Sequence, residues 1–73
     1  MRYFTQFVNQ VTGEKREVVT SLDSAEIAAI EEARSAHGDE LARVVASATV
    51  LKSAYSELNA LEWDHSGPPT LVN

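Results

Sequence analysis

Aromatic and β-branched residues crowd two short runs near the N-terminus, Arg2-Tyr3-Phe4-Thr5-Gln6-Phe7-Val8 and Arg16-Glu17-Val18-Val19-Thr20-Ser21-Leu22. These residue types suit a pleated, half-buried surface, so each run reads as a strand. Between them, Gln10-Val11-Thr12-Gly13-Glu14 has the composition of a type I turn closed by a glycine bulge. Gly13 supplies the positive φ that such a turn requires. With Val11 and Thr12 at its centre, residues pair across the hairpin so that their numbers sum to about 24. Phe4, Val8, Val18 and Leu22 then share one face, and Tyr3, Phe7 and Val19 the other. A slip of one residue would exchange these faces.

The pattern then changes period. Asp23 with Glu26 three residues on has the form of a capping box, and Leu22 and Ile27 stand at the spacing of a hydrophobic staple. A helix is predicted from about Ser24 to Ala36, ended by Gly38 as a left-handed cap. Its apolar stripe is thin, Ile27 and Ile30 widened by Ala33, so it must lean on another element. A second helix is predicted from Asp39 to about Trp63. Leu41, Val44, Val45, Ala48, Leu51, Tyr55 and Leu58 recur at three- and four-residue steps and fall within a sector of roughly 140°. Val50, Ala54 and Leu61 lie nearly opposite. From Asp64 to Asn73, including Gly67-Pro68-Pro69, no period remains, and a disordered tail is expected. The predicted architecture is α+β: one domain over 1–63, a two-stranded hairpin packed on two helices, with a flexible tail over 64–73.

Composition narrows the function. The 73 residues carry a net charge of -5 and contain no cysteine, which excludes a disulfide framework and zinc-thiolate ligation. No run approaches the ~20 apolar residues of a membrane span, and the first residues lack the apolar centre of a signal peptide. A cytoplasmic location without membrane attachment is expected. The acidic balance argues against direct binding to a phosphate backbone. Asp23, Glu26, Glu31, Glu32, Asp39 and Glu40 face a single Arg34, so residues 23–40 hold a net -5 while the flanking parts nearly cancel. A solvated helix face with ordinary caps accounts for this; a docking face for a basic protein surface is the sharper reading.

Chemistry is thinly represented. Asp64-His65-Ser66 has the residue types of a triad, but sequence neighbours do not converge on one reacting atom. His37-Gly38-Asp39-Glu40 matches no metal-ligand spacing and serves equally as a helix-helix turn. No phosphate loop or nucleotide fingerprint is present. Neither an enzyme nor a cofactor is expected. Binding is better supported. A lone hairpin buries one face, and the staple turns the Leu22 face inward. That leaves Tyr3, Phe7 and Val19 outward beside open strand edges, with Glu31 and Glu32 as the acidic candidates for partner contact. The second helix offers a rival: its 3-4 spacing, interrupted by Lys52 and Asn59, could build a small homodimerisation module.

The run Tyr3-Phe4-Thr5-Gln6-Phe7-Val8 leading a hairpin, followed by Asp23-Ser24-Ala25-Glu26 opening two helices in a short acidic chain, resembles the small transcription regulators of lytic Xanthomonas bacteriophages. The resemblance covers the whole layout and rests on no defined binding motif. It implies a non-catalytic protein of the host-cell cytoplasm whose partner is bacterial RNA polymerase, through the N-terminal region of the largest catalytic subunit; a monomer is expected. It further implies inhibition of sigma-dependent initiation by loosening the sigma factor, and antitermination during elongation.

Overall fold

The computed structural model describes residues 1–59 and 61–72 and has the expected α+β class. Strand β1 (Arg2–Asn9) and strand β2 (Lys15–Ser21) form an antiparallel hairpin, followed by helix α1 (Ser24–His37) and helix α2 (Asp39–Tyr55). Two short strands, β3 (Trp63–His65) and β4 (Thr70–Leu71), complete the chain. Both pair antiparallel with the edge of β1 that β2 leaves free, giving a four-stranded sheet. Residues 63–72 are therefore not the structureless tail expected, and a boundary at 63 would cut through β3. Asn73 lies outside the described residues.

The hairpin register differs from expectation by one residue. Arg2 faces Ser21, Tyr3 faces Thr20, Phe4 faces Val19 and Phe7 faces Arg16, so paired numbers sum to 23. The cause is the turn. Asn9 donates its amide to the Glu14 carbonyl at 2.7 Å and accepts from Gly13 at 2.8 Å, which closes a loop of four residues rather than three. The Asn9 side chain holds this loop, its Oδ1 accepting from the amides of Val11 and Thr12 at 2.8 and 3.0 Å. Gly13 does adopt positive φ, at 77°, but as the last loop residue and not as a bulge. One extra loop residue slips the register by one and turns every β1 side chain over. Phe7 is consequently 0% exposed, while Phe4 and Val8 are half-buried on the other face. Val18 and Leu22 are buried as expected.

Helix α1 begins as its sequence dictates. Asp23 Oδ1 accepts from the Glu26 amide at 2.8 Å, and Glu26 Oε1 accepts from the Asp23 amide at 3.0 Å. Leu22 and Ile27 meet in one cluster with Ile30, Ala42, Ala46 and Val50. The helix stops where Gly38, at φ 94°, returns its amide to the Arg34 carbonyl.

Helix α2 packs with a different face from the one its bulky residues suggest. Its buried positions are Ala42, Ala46, Val50 and Ala54, mostly small residues four apart. Two antiparallel helices joined through the single residue Gly38 run close together, and alanines permit that approach. The bulky stripe is divided instead. Leu51, Tyr55 and Leu58 pack on Phe7, Val18, Ala54 and Trp63, whereas Leu41 and Val44 near the start of α2 are exposed. The molecule is long, 42 × 19 × 19 Å. Helix α2 also ends at Tyr55 rather than near Trp63. Beyond its end, Asn59 Oδ1 takes the Leu61 amide and the Asn59 carbonyl takes those of Glu62 and Trp63. This local capping competes with helix continuation. The reversal delivers Trp63 into the core.

The core thus consists of two clusters, one under the helical hairpin and one around Phe7 and Trp63. Among the described residues, one buried side-chain oxygen lacks a hydrogen-bond partner: Thr5 Oγ1, on the Phe7 face of β1. Replacing an orphaned hydroxyl by a methyl of similar size removes a desolvation cost. Thr5→Val is expected to raise stability by about 1 kcal/mol in a urea titration. A loss of stability would show that the hydroxyl is bonded in solution.

Candidate protein-binding surface

Strand alternation divides the sheet into two unlike faces. Tyr3, Thr5, Phe7 and Asn9 of β1 share the side on which α2 lies, together with Val18 and Thr20 of β2. Helix α1 packs on α2. The other face carries Phe4, Gln6 and Val8 opposite Val19, Glu17 and Lys15, in that order. No described helix covers it. Its apolar centre is the directly opposed pair Phe4 and Val19, with Val19 54% exposed. Thr70 of β4 flanks Phe4 on the other side, and Asp64 of β3 flanks Val8. Strand β2 is at the end of the sheet, its outer edge without a strand partner among the described residues.

The sequence-derived candidates are therefore scattered. Val19 is on the open face, as expected. Phe7 is not on the surface at all, and Tyr3 is half-buried against the Leu22 and Ile30 cluster. Both corrections follow from the register: the face tied inward is the odd-numbered side of β1. Phe4 and Val8 take the outward places. A one-residue-longer loop was the available signal, in the form of Asn9, a residue whose side chain commonly closes turns onto its own backbone.

The acidic candidates have different surroundings. Glu31 is paired with Arg34, which also binds Asp39 through its Nε at 3.0 Å. The hydrogen bond to Glu31, then the charges of Glu31 and Asp39, hold the Arg34 guanidinium above its ordinary pKa. Two carboxylates at the helical turn are thus engaged within the chain. Glu32 is exposed on α1, which packs on α2, whereas Val19 lies on the sheet face turned away from α2. The acidic helix and the open sheet face are not one surface.

One polar cluster lies at the other sheet edge. The Tyr55 hydroxyl accepts the His65 amide at 3.1 Å and sits 3.1 Å from Asp64 Oδ1 and 3.0 Å from His65 Nδ1. Its ring stands edge-on to Phe7, centroids 5.1 Å apart. Burial pushes the Tyr55 hydroxyl up in pKa; the His65 amide opposes this and Asp64 adds to it. The group that sequence reading set aside as a false triad is therefore a clasp: it ties β3 to the end of α2. Ser66 takes no side-chain part, and its amide bonds the Gln6 carbonyl.

Comparison with protein-family models, with characterised proteins and with solved structures finds no match. Among the described residues, no helix is long and apolar enough to cross a membrane.

Proposed function

We propose that this chain is a non-catalytic protein that binds a larger protein partner through the open face of its sheet. The observation that supports this reading is the Phe4–Val19 pair on the sheet face that no described helix covers, with Val19 exposed and Phe4 half-buried, beside a β2 edge that has no strand partner among the described residues. An aromatic residue ringed by polar neighbours has the make-up of an interface centre. An open edge adds backbone groups for strand pairing. The sequence resemblance supplies the partner: bacterial RNA polymerase, at the N-terminal region of its largest catalytic subunit. Binding there would favour one polymerase state over another, weakening sigma-dependent initiation and permitting antitermination.

The test is a titration of the labelled chain with purified bacterial RNA polymerase. Val19→Lys is expected to weaken binding at least tenfold, about 1.4 kcal/mol, without altering the melting curve. Glu32→Lys is expected to leave affinity at moderate salt unchanged, because Glu32 is on α1 and not on the open sheet face. Absence of binding by the unaltered chain removes polymerase as the partner. A loss with Glu32→Lys and none with Val19→Lys moves the contact to the acidic helix.

A second reading has its own observation. Leu41 (39% exposed) and Val44 (60% exposed) form an apolar stripe with exposed Ala48 on the N-terminal half of α2, as a homodimerisation module would require. Sedimentation separates the two readings, since a monomer at micromolar concentration removes the dimer.

A further inference from the structure

The two short strands along β1 are held very unequally. Strand β3 is anchored by Trp63, which is buried against Phe7, Val18 and Ala54, with the Arg16 guanidinium 4.7 Å from its ring centre. The Tyr55 clasp secures the His65 amide as well. Strand β4 has no comparable anchor. Thr70, Leu71 and Val72 are all exposed, and the Val72 amide bonds the Arg2 carbonyl at 2.9 Å. Between the strands the chain leaves the ladder. His65 lies opposite Phe7 and Thr70 opposite Phe4, so Gly67, Pro68 and Pro69 bulge past Thr5 alone. Gly67 bends at φ 103°, and the prolines have no amide to donate.

Segments with little buried apolar area and exposed backbone hydrogen bonds open at a small fraction of the global unfolding free energy. We propose that residues 66–72 are a releasable strap, opening at Ser66–Pro69 to free the β1 edge at Arg2–Phe4 while β3 and the Phe7 cluster stay closed. The freed backbone groups adjoin the Phe4–Val19 pair, so opening enlarges the exposed sheet surface. This goes beyond the binding role proposed above and is a property of the isolated chain.

Amide hydrogen exchange on the full chain tests it, because neighbouring β1 amides point to opposite edges. Phe4 and Val8 direct theirs toward β4 and β3, whereas Tyr3 and Thr5 direct theirs toward β2. After correction for intrinsic rates, the Phe4 amide is expected to exchange at least about tenfold faster than Val8. Tyr3 and Thr5 should remain among the slowly exchanging amides. In Leu71→Ser the Phe4 rate should rise further and the Val8 rate should not. Equal protection of Phe4 and Val8 would overturn the strap. So would rapid exchange at Tyr3, which would mean that the whole strand end frays.

Discussion

Phe7→Ala is expected to cost about 3–5 kcal/mol in a urea titration followed by far-ultraviolet circular dichroism. Phe7 is 0% exposed, packs on Val18, Ala54 and Trp63, and stands edge-to-face with Tyr55. Its truncation leaves a cavity walled by a sheet and a helix, neither of which can collapse without breaking hydrogen bonds. A chain of 73 residues has a total stability of roughly 4–11 kcal/mol at usual values per residue, so much of the population would unfold. Phe4→Ala is expected to cost less than Phe7→Ala, because Phe4 is half-buried on the sheet face that no described helix covers, and its truncation opens no enclosed cavity. A reversed order of the two losses would mean that the register in solution sums to 24. Equal large losses would mean that both faces of the sheet are covered.

The second large effect is expected at Trp63, the only tryptophan of the chain. Trp63→Ala should cost about 3–5 kcal/mol, since it empties one wall of the Phe7 cluster and removes the ring beneath Arg16. Strand β3 would lose its anchor, and the β1 edge from Phe7 to Asn9 would open with it. Leu61→Ala, two residues away but almost fully exposed, should shift the urea midpoint hardly at all. A small loss at Trp63 would return residues 63–72 to the status of a free tail.

The parts of this fold that can be read along the chain are those settled by near neighbours. Asp23 and Glu26 cap α1 through bonds three residues apart, Gly38 ends it through its own φ, and Leu22 meets Ile27 across the cap. The turn region was legible, but its length was not. Three- and four-residue loops share nearly the same composition, and the choice rests on whether Asn9 closes the turn. That one-residue ambiguity moved Tyr3 and Phe7 out of the candidate binding surface and moved Phe4 and Val8 in. Of the candidates, Val19 kept its place because its alternation within β2 does not depend on the partner strand.

What the sequence by itself determined is the α+β class, the order of hairpin and helices, the capped start of α1 and the concentration of acid on it. All of these follow from contacts within a few residues, or from simple counting. Only the tertiary structure decided which faces those elements bury. Helix α2 turns Ala42 and Ala46 toward α1, which packs close beside it, and Ala54 toward Phe7 and Trp63, although its larger side chains set a clear helical period. Residues 63–72 become strands because β1 presents an unpaired edge and the Phe7 cluster has room for Trp63. Neither condition is written in that segment, whose glycine and prolines suggest disorder when it is read alone. Backbone pairing and apolar burial are satisfied between distant parts of the chain, and only the folded arrangement brings those parts together.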